Sequence, residues 1–204
     1  MRIGVYGGTF DPVHLGHLVL AEQVREQLRL DEVWWIPCQV SPHKTQRALT
    51  PGLQRLEMLQ LATAGHTGFR VLPVEIERPG PSFTVDTLSQ LVEQHSGHEW
   101  WLLLGADSVR DFGTWREPER IVQLARIAAV NRGDEAPLSV GGFCRRFGDR
   151  CDVVTMPGLD ISASDMRQRV ASGWSIRYQT PAAVEAYIRQ HGLYRAGQPP
   201  SAER

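Results

Sequence analysis

Arg2 to Tyr6 is a short, largely apolar run that stops at Gly7-Gly8, after which Leu18, Ala21, Val24 and Leu28 recur at helical spacing. A strand that feeds a helix through a glycine turn is the opening of a βα unit, and the same alternation continues along the chain. Val33-Trp34-Trp35-Ile36 reads as a second strand stopped by Pro37, and the polar stretch Gln39 to Thr50 as a loop before a helix carrying Leu53, Leu56 and Leu59. Phe69 to Ile76 reads as a third strand. Glu77-Arg78-Pro79-Gly80-Pro81 breaks it before a helix that begins near Thr84 and buries Val85, Leu88, Leu91 and Val92. Trp100 to Leu104 is apolar throughout, the pattern of a buried parallel strand, and ends at Gly105-Ala106-Asp107-Ser108. Ile127 to Val130 and Val153 to Met156 supply a fifth and a sixth strand, separated by an irregular Gly/Arg-rich stretch. Ser162 is placed to cap a helix that stops at Gly173, and Thr180-Pro181, as cap and first-turn proline, opens a last helix closed by Gly192.

Strands alternating with helices predict an α/β fold, a Rossmann-like parallel sheet with helices on both faces and ligands at the carboxyl ends of its strands. At 204 residues the chain is expected to form one domain over 1–195, followed by a disordered polar tail over 196–204. With 22 basic and 23 acidic residues, the net charge of -1 gives no support to a nucleic-acid-binding surface, so any phosphate binding must be local. Cys38, Cys144 and Cys151 are odd in number and lack C-x-x-C spacing, which suggests neither a disulfide framework nor a zinc ribbon and fits a reducing cytoplasm. The N-terminus has no apolar signal-peptide core, and no apolar run is long enough for a membrane span.

Gly7-Gly8-Thr9 ahead of a helix places backbone N–H groups where the helix dipole favours an anion. The segment lacks the G-K-[ST] of a Walker A loop, and there is no G-x-G-x-x-G with an acidic residue after the second strand. What remains is His14-x-Gly16-His17. At i and i+3 on a first helical turn the imidazoles share a face, and Gly16 is expected to leave room for a ligand near the backbone. Two histidines without a third ligand at suitable spacing argue against zinc.

The run Gly7-Gly8-Thr9-Phe10-Asp11-Pro12-Val13-His14-Leu15-Gly16-His17 resembles the signature of the nucleotidylyltransferase superfamily, and Ile161-Ser162-Ala163-Ser164-Asp165-Met166-Arg167 resembles its second phosphate motif. Within the superfamily the chain is similar to bacterial nicotinate-nucleotide adenylyltransferases from Arg2 to Tyr194. Pro37 to Lys44, Pro81-Ser82-Phe83-Thr84-x-Asp86-Thr87-Leu88 and Leu104-Gly105-Ala106-Asp107-Ser108 carry that likeness, with Tyr178 to Tyr194 matching the C-terminal helix, expected to be structural. The likeness departs from common family patterns at Cys38-Gln39 and Ser41, in the loop.

The resemblance implies transfer of AMP from ATP to nicotinic acid mononucleotide, giving nicotinic acid adenine dinucleotide and pyrophosphate. It implies an ATP site of Gly7, Gly8, Thr9, Phe10, His14, His17, Gly105, Asp107, Ile161, Ser162, Ser164 and Arg167, with His17, His14 and Arg167 catalytic. His43, Lys44, Arg47, Ser82, Phe83, Thr84 and Trp115 are implied for the nicotinate nucleotide, Phe83 and Trp115 flanking its ring. Mg²⁺ is expected to arrive with ATP and be held through its phosphates. Independently of the likeness, a turn entering a helix near Thr84 would offer free N–H groups to a carboxylate, so nicotinate should be preferred over nicotinamide. Lys44 is the sole lysine, and its replacement by Ala is expected to raise the KM for a phosphate substrate. Competing readings are another acceptor (nicotinamide mononucleotide, phosphopantetheine, or glycerol phosphate with CTP) and a noncatalytic nucleotide-binding regulator. Oligomeric state stays open, a homo-oligomer included.

Overall fold

Six strands in a computed structural model, which describes residues 1–40, 49–132 and 137–195, form one parallel sheet in the order β3-β2-β1-β4-β5-β6. The strands are β1 (Arg2–Gly8), β2 (Glu32–Pro37), β3 (Phe69–Val71), β4 (Glu99–Gly105), β5 (Arg126–Arg132) and β6 (Cys151–Met156). Eight helices accompany them among the described residues: α1 (Leu15–Gln27), α2 (Gly52–Thr63), α3 (Thr84–Gln94), α4 (Ala106–Asp111), α5 (Pro118–Leu124), α6 (Pro137–Phe147), α7 (Ala163–Ala171) and α8 (Ala182–Gln190). This is the expected Rossmann-like α/β architecture.

The period-two alternation of the strands sorts their side chains between two cores. Val33, Trp35, Trp101, Leu103, Ala128 and Val130 pack beneath α1, α2, α7 and α8. Their sequence neighbours Trp34, Ile36, Leu102, Leu104, Ile127 and Ala129 pack beneath α3, α4, α5 and α6. Because both faces are covered, every one of these strand residues is buried. Each such aliphatic side chain contributes roughly 1.5–3 kcal/mol by leaving water. The strand order reverses between β1 and β4, which opens a crevice at their carboxyl ends, where sheets of this kind bind ligands.

Several expectations need correction. The third strand stops at Val71 instead of reaching Ile76, because Pro73 has no N–H to donate to a ladder and a turn closes from Glu77 N–H to Pro73 O at 3.0 Å. Pro37 is the last residue of β2, paired in register with Gly8, so it ends the strand from within. The irregular Gly/Arg-rich stretch contains α6, whose buried Val140 and Cys144 hold it to the sheet despite its glycines. Pro181 occupies the cap position of α8, and the Thr180 hydroxyl donates instead to Val13 O at 2.8 Å. Cys144 and Cys151 form a disulfide, their Cα atoms 5.0 Å apart, because a short 3-10 turn over Gly148–Arg150 folds the end of α6 back beside the start of β6. No described helix is long and apolar enough to cross a membrane. The tail over 196–204 lies outside the described residues.

Candidate active site

A cleft of about 830 Å³ opens at the crevice between β1 and β4. It is bordered by the glycine turn, both histidines, the end of β4, the start of α7, the Ser82–Thr84 turn and Trp115. Of the residues named from the sequence, Gly7, Gly8, Thr9, Phe10, Gly105, Asp107, Ile161, Ser162, Ser164 and Arg167 line it. His43, Lys44 and Arg47 lie outside the described residues.

At the start of α1 the His14 and His17 rings stack with centroids 3.6 Å apart. The His14 backbone N–H donates to His17 Nδ1 at 3.2 Å. With Nδ1 accepting, the proton of a neutral His17 sits on Nε2, so that nitrogen is a donor. The edge of Phe10 braces His17 at 5.1 Å between centroids, and Phe10 itself is buried with φ 47. A Cβ on Gly16 would come within 3.1 Å of the His14 ring, so the glycine makes room for that ring. Gly8 similarly spares the Phe10 ring, which a Cβ would approach to 2.8 Å, whereas a Cβ on Gly7 would meet no protein atom within 4 Å.

Arg167 extends across from α7, its Nη1 donating to Asp11 O at 2.7 Å and its Nη2 to Ser164 Oγ at 3.2 Å. Ser162 caps α7, its hydroxyl oxygen accepting from Asp165 N–H at 3.1 Å. Asp107 is exposed and pairs with Arg110 at 3.2 Å.

On the opposite side, Phe83 stands at the cap position of α3, with no side-chain hydrogen bond capping the helix. One face of Phe83 is covered by the Arg116 guanidinium, 4.9 Å from the ring centroid, while Trp115 leans on Phe112 at 5.4 Å. Ser82 is buried, its Oγ accepting from Gln39 N–H at 3.1 Å and its N–H donating to Val40 O at 3.0 Å. Behind the turn, Thr87 donates to Glu75 Oε1 at 2.6 Å. Burial pushes the Glu75 carboxyl above the ordinary glutamate range, opposed by hydrogen bonds from Thr87 and Ser82 and by the charge of Arg78.

Several contributions escaped sequence reasoning. Arg55, only 1% exposed, donates to three backbone carbonyls. Asp11, buried inside the phosphate motif, accepts from Tyr194 OH at 2.6 Å, and burial followed by the charge of Asp11 raises that phenol well above its ordinary pKa. Tyr194 therefore ties the chain's last described turn to the phosphate loop, more than the structural packing expected of the C-terminal segment. Glu75 and Arg116 complete the set. Only Arg55 carried a usable signal, since its neighbours Met58 and Leu59 mark the buried face of α2 while Leu53 is exposed.

A family model described as cytidylyltransferase-like matches residues 5–169. A Roseiflexus protein named "Probable nicotinate-nucleotide adenylyltransferase" is 48% identical over 196 residues, spanning 95% of this chain and 98% of its own length. A protein of the same name from Thermomicrobium roseum is 46% identical over 196 residues, 95% of this chain and 92% of its own. Among solved structures, the Plasmodium falciparum nicotinic acid mononucleotide adenylyltransferase complexed with NaAD shares the fold with a TM-score of 0.78 at 20% identity, covering 95% of this chain and 97% of that one.

Proposed function

The chain belongs to the nicotinate-nucleotide adenylyltransferase family, and from that premise we propose that it transfers AMP from ATP to nicotinic acid mononucleotide, releasing pyrophosphate. One observation carries the reading. The stacked histidines and the phosphate loop share a cleft with a helix start that no side chain caps and with Trp115.

The attacking group is a phosphate monoester with a second pKa of about 6, already mostly dianionic at neutral pH, so no general base is required. Catalysis then rests on alignment and on stabilising charge at the transferring and leaving oxygens. His17 is the donor to the α-phosphate, its Nε2–H meeting charge that grows in the transition state. His14 and the backbone of Gly7, Gly8, Thr9 and Phe10 hold the triphosphate. Ile161, Ser162, Ser164 and Arg167 receive its far end, where the Arg167 fork suits phosphate oxygens. Gly105 and Asp107 border the adenosine side.

Among the described residues no three His, Cys, Asp or Glu side chains converge on one point, a donor set that suits Mg²⁺ carried by phosphate oxygens rather than caged by protein. Bound that way, the ion would supply positive charge beside the leaving pyrophosphate. The start of α3, at Phe83 and Thr84 beside the anchored Ser82, offers backbone N–H groups and the positive end of a helix dipole to the nicotinate carboxylate. Trp115 packs on the pyridine ring, and His43, Lys44 and Arg47 serve the acceptor's phosphate. Pyrophosphate release from ATP, measured with nicotinic acid mononucleotide, nicotinamide mononucleotide and phosphopantetheine offered separately, tests the reading. Release with the first acceptor is expected to dominate, and release with phosphopantetheine alone would refute it.

A further inference from the structure

Arg55 lies on the inward face of α2, fully buried, where its guanidinium bridges three separate segments. Nε donates to Thr50 O at 2.8 Å, Nη1 to Thr9 O at 2.8 Å and Nη2 to Gln39 O at 3.3 Å. Thr9 belongs to the phosphate loop, while Gln39 and Thr50 stand at the two ends of the connection between β2 and α2. A charged group withdrawn from water is costly unless its donors are satisfied, and a planar fork satisfies them only when the three carbonyls hold fixed relative positions.

Two consequences bear on the reaction. A trans peptide sets its C=O and N–H antiparallel, so the Thr9 carbonyl held by Arg55 turns the Phe10 N–H away from Arg55, fixing one donor of the phosphate loop. On the other side, Gln39 passes the constraint to the acceptor turn, its N–H donating to Ser82 Oγ at 3.1 Å while Ser82 N–H returns a bond to Val40 O at 3.0 Å. Thr50 N–H also meets Asp11 Oδ2, at 3.4 Å. Thr9, Arg55, Gln39 and Ser82 thus form one continuous chain of hydrogen bonds from the phosphate half of the cleft to the acceptor half.

We propose that Arg55 is a positioning residue for nucleotidyl transfer, holding the phosphate loop and the acceptor turn in one mutual register so that the acceptor phosphate lies in line with the α-phosphorus. The inference rests on the function proposed above. Wild-type turnover with nicotinic acid mononucleotide, measured first, shows whether that foundation stands before any variant is judged.

The test uses the full chain with Arg55→Lys, Ser82→Ala and the double variant. Dissociation constants for each substrate are taken by calorimetry, and kcat is expressed per ATP-binding site counted by the same titration. Arg55→Lys keeps a charge but loses the fork; kcat per site should fall about 100-fold, the scale of a misalignment near 1 Å, with both dissociation constants within about threefold of wild type. Ser82→Ala cuts the chain at its far end and should lower kcat per site about tenfold with the same split. The double variant should be no slower than Arg55→Lys within about threefold, because both changes break one chain. A merely structural Arg55 would lower the count of competent sites without changing kcat per site, and independent roles would multiply in the double variant; either result overturns the proposal. Should Arg55→Lys fail to fold, Ser82→Ala decides alone. An unchanged kcat per site, or a loss confined to acceptor affinity, would reject the coupling.

Discussion

Residues 7–17 bring the glycine turn and both histidines of the proposed phosphate half together within one strand, turn and helix start, with Ile161 to Arg167 joining from the start of α7, whereas the proposed acceptor half is assembled from the end of β2, the Ser82–Thr84 turn and Trp115, which are remote in sequence. The first half is set by local sterics: Gly16 clears space for His14, Gly8 for Phe10, and the His14 N–H fixes the tautomer of His17. The second depends on tertiary bonds between segments, Gln39 to Ser82 and Thr87 to Glu75. On the proposed reading, phosphate chemistry is centred on a short motif, while acceptor choice depends on how distant pieces are held together. Replacing groups proposed to touch the triphosphate should act mainly on kcat and groups proposed to touch the acceptor mainly on its KM, whereas the Ser82 hydroxyl, which ties the two halves together through Gln39, should act on kcat.

The largest expected effect is that of His17→Ala, which removes the proposed donor to developing charge and should lower kcat by about 10²–10³-fold while leaving ATP affinity nearly intact. Steady-state rates beside an ATP-binding titration check this, and an equal loss of affinity would erase the contrast between the halves. Next is Arg167→Ala, which deletes the bonds to Asp11 O and Ser164 as well as the proposed phosphate contact. A loss of roughly 10–100-fold in kcat/KM for ATP is expected from steady-state kinetics.

Thr84→Pro probes the other side. Proline suits the first position of a helix, and Phe83 before it already has φ -102 and ψ 129, a conformation that proline tolerates. The variant should fold, lose the Thr84 N–H, and raise the KM for nicotinic acid mononucleotide about tenfold with kcat little changed. An acceptor KM that stays at its wild-type value would remove this N–H from the account. Trp115→Ala should raise the same KM by a smaller factor, about three- to tenfold, through lost stacking.

The smallest effect concerns pH. Burial raises the carboxyl pKa of Glu75 in the fold, so the folded state holds that proton more tightly than the unfolded chain. The stability tied to this group is full below the ordinary glutamate pKa of about 4.3 and is lost as pH rises through the raised folded value. The melting temperature of wild type relative to Glu75→Gln should accordingly decline as pH climbs through that window, in melts recorded from about pH 4 to 7. A constant difference would contradict the burial argument.

The same contrast explains what the sequence revealed. The β1 turn, the histidine pair, the end of β4 and the Ser162 cap were legible because each rests on spacing within a few residues. Arg55 was legible only in part: its spacing from Met58 and Leu59 marks the buried face of α2, but a charged residue on a helix ordinarily faces water, and its acceptors, 5, 16 and 46 residues away, leave no local pattern. Tyr194 reaches Asp11 across 183 residues, a pairing that no local pattern encodes. The glycines of α6 obscured a helix that tertiary packing of Val140 and Cys144 sustains, and one proline cut the third strand short.

The central claim, that an uncapped helix start reads a carboxylate on the acceptor, is tested most directly by the ratio of kcat/KM for nicotinic acid mononucleotide to that for nicotinamide mononucleotide, at saturating ATP and neutral pH. A hydrogen-bonded charge is worth about 1.5–3 kcal/mol, so the ratio should be on the order of 10 to 100 in favour of the acid. Equal efficiency with the two acceptors would contradict it.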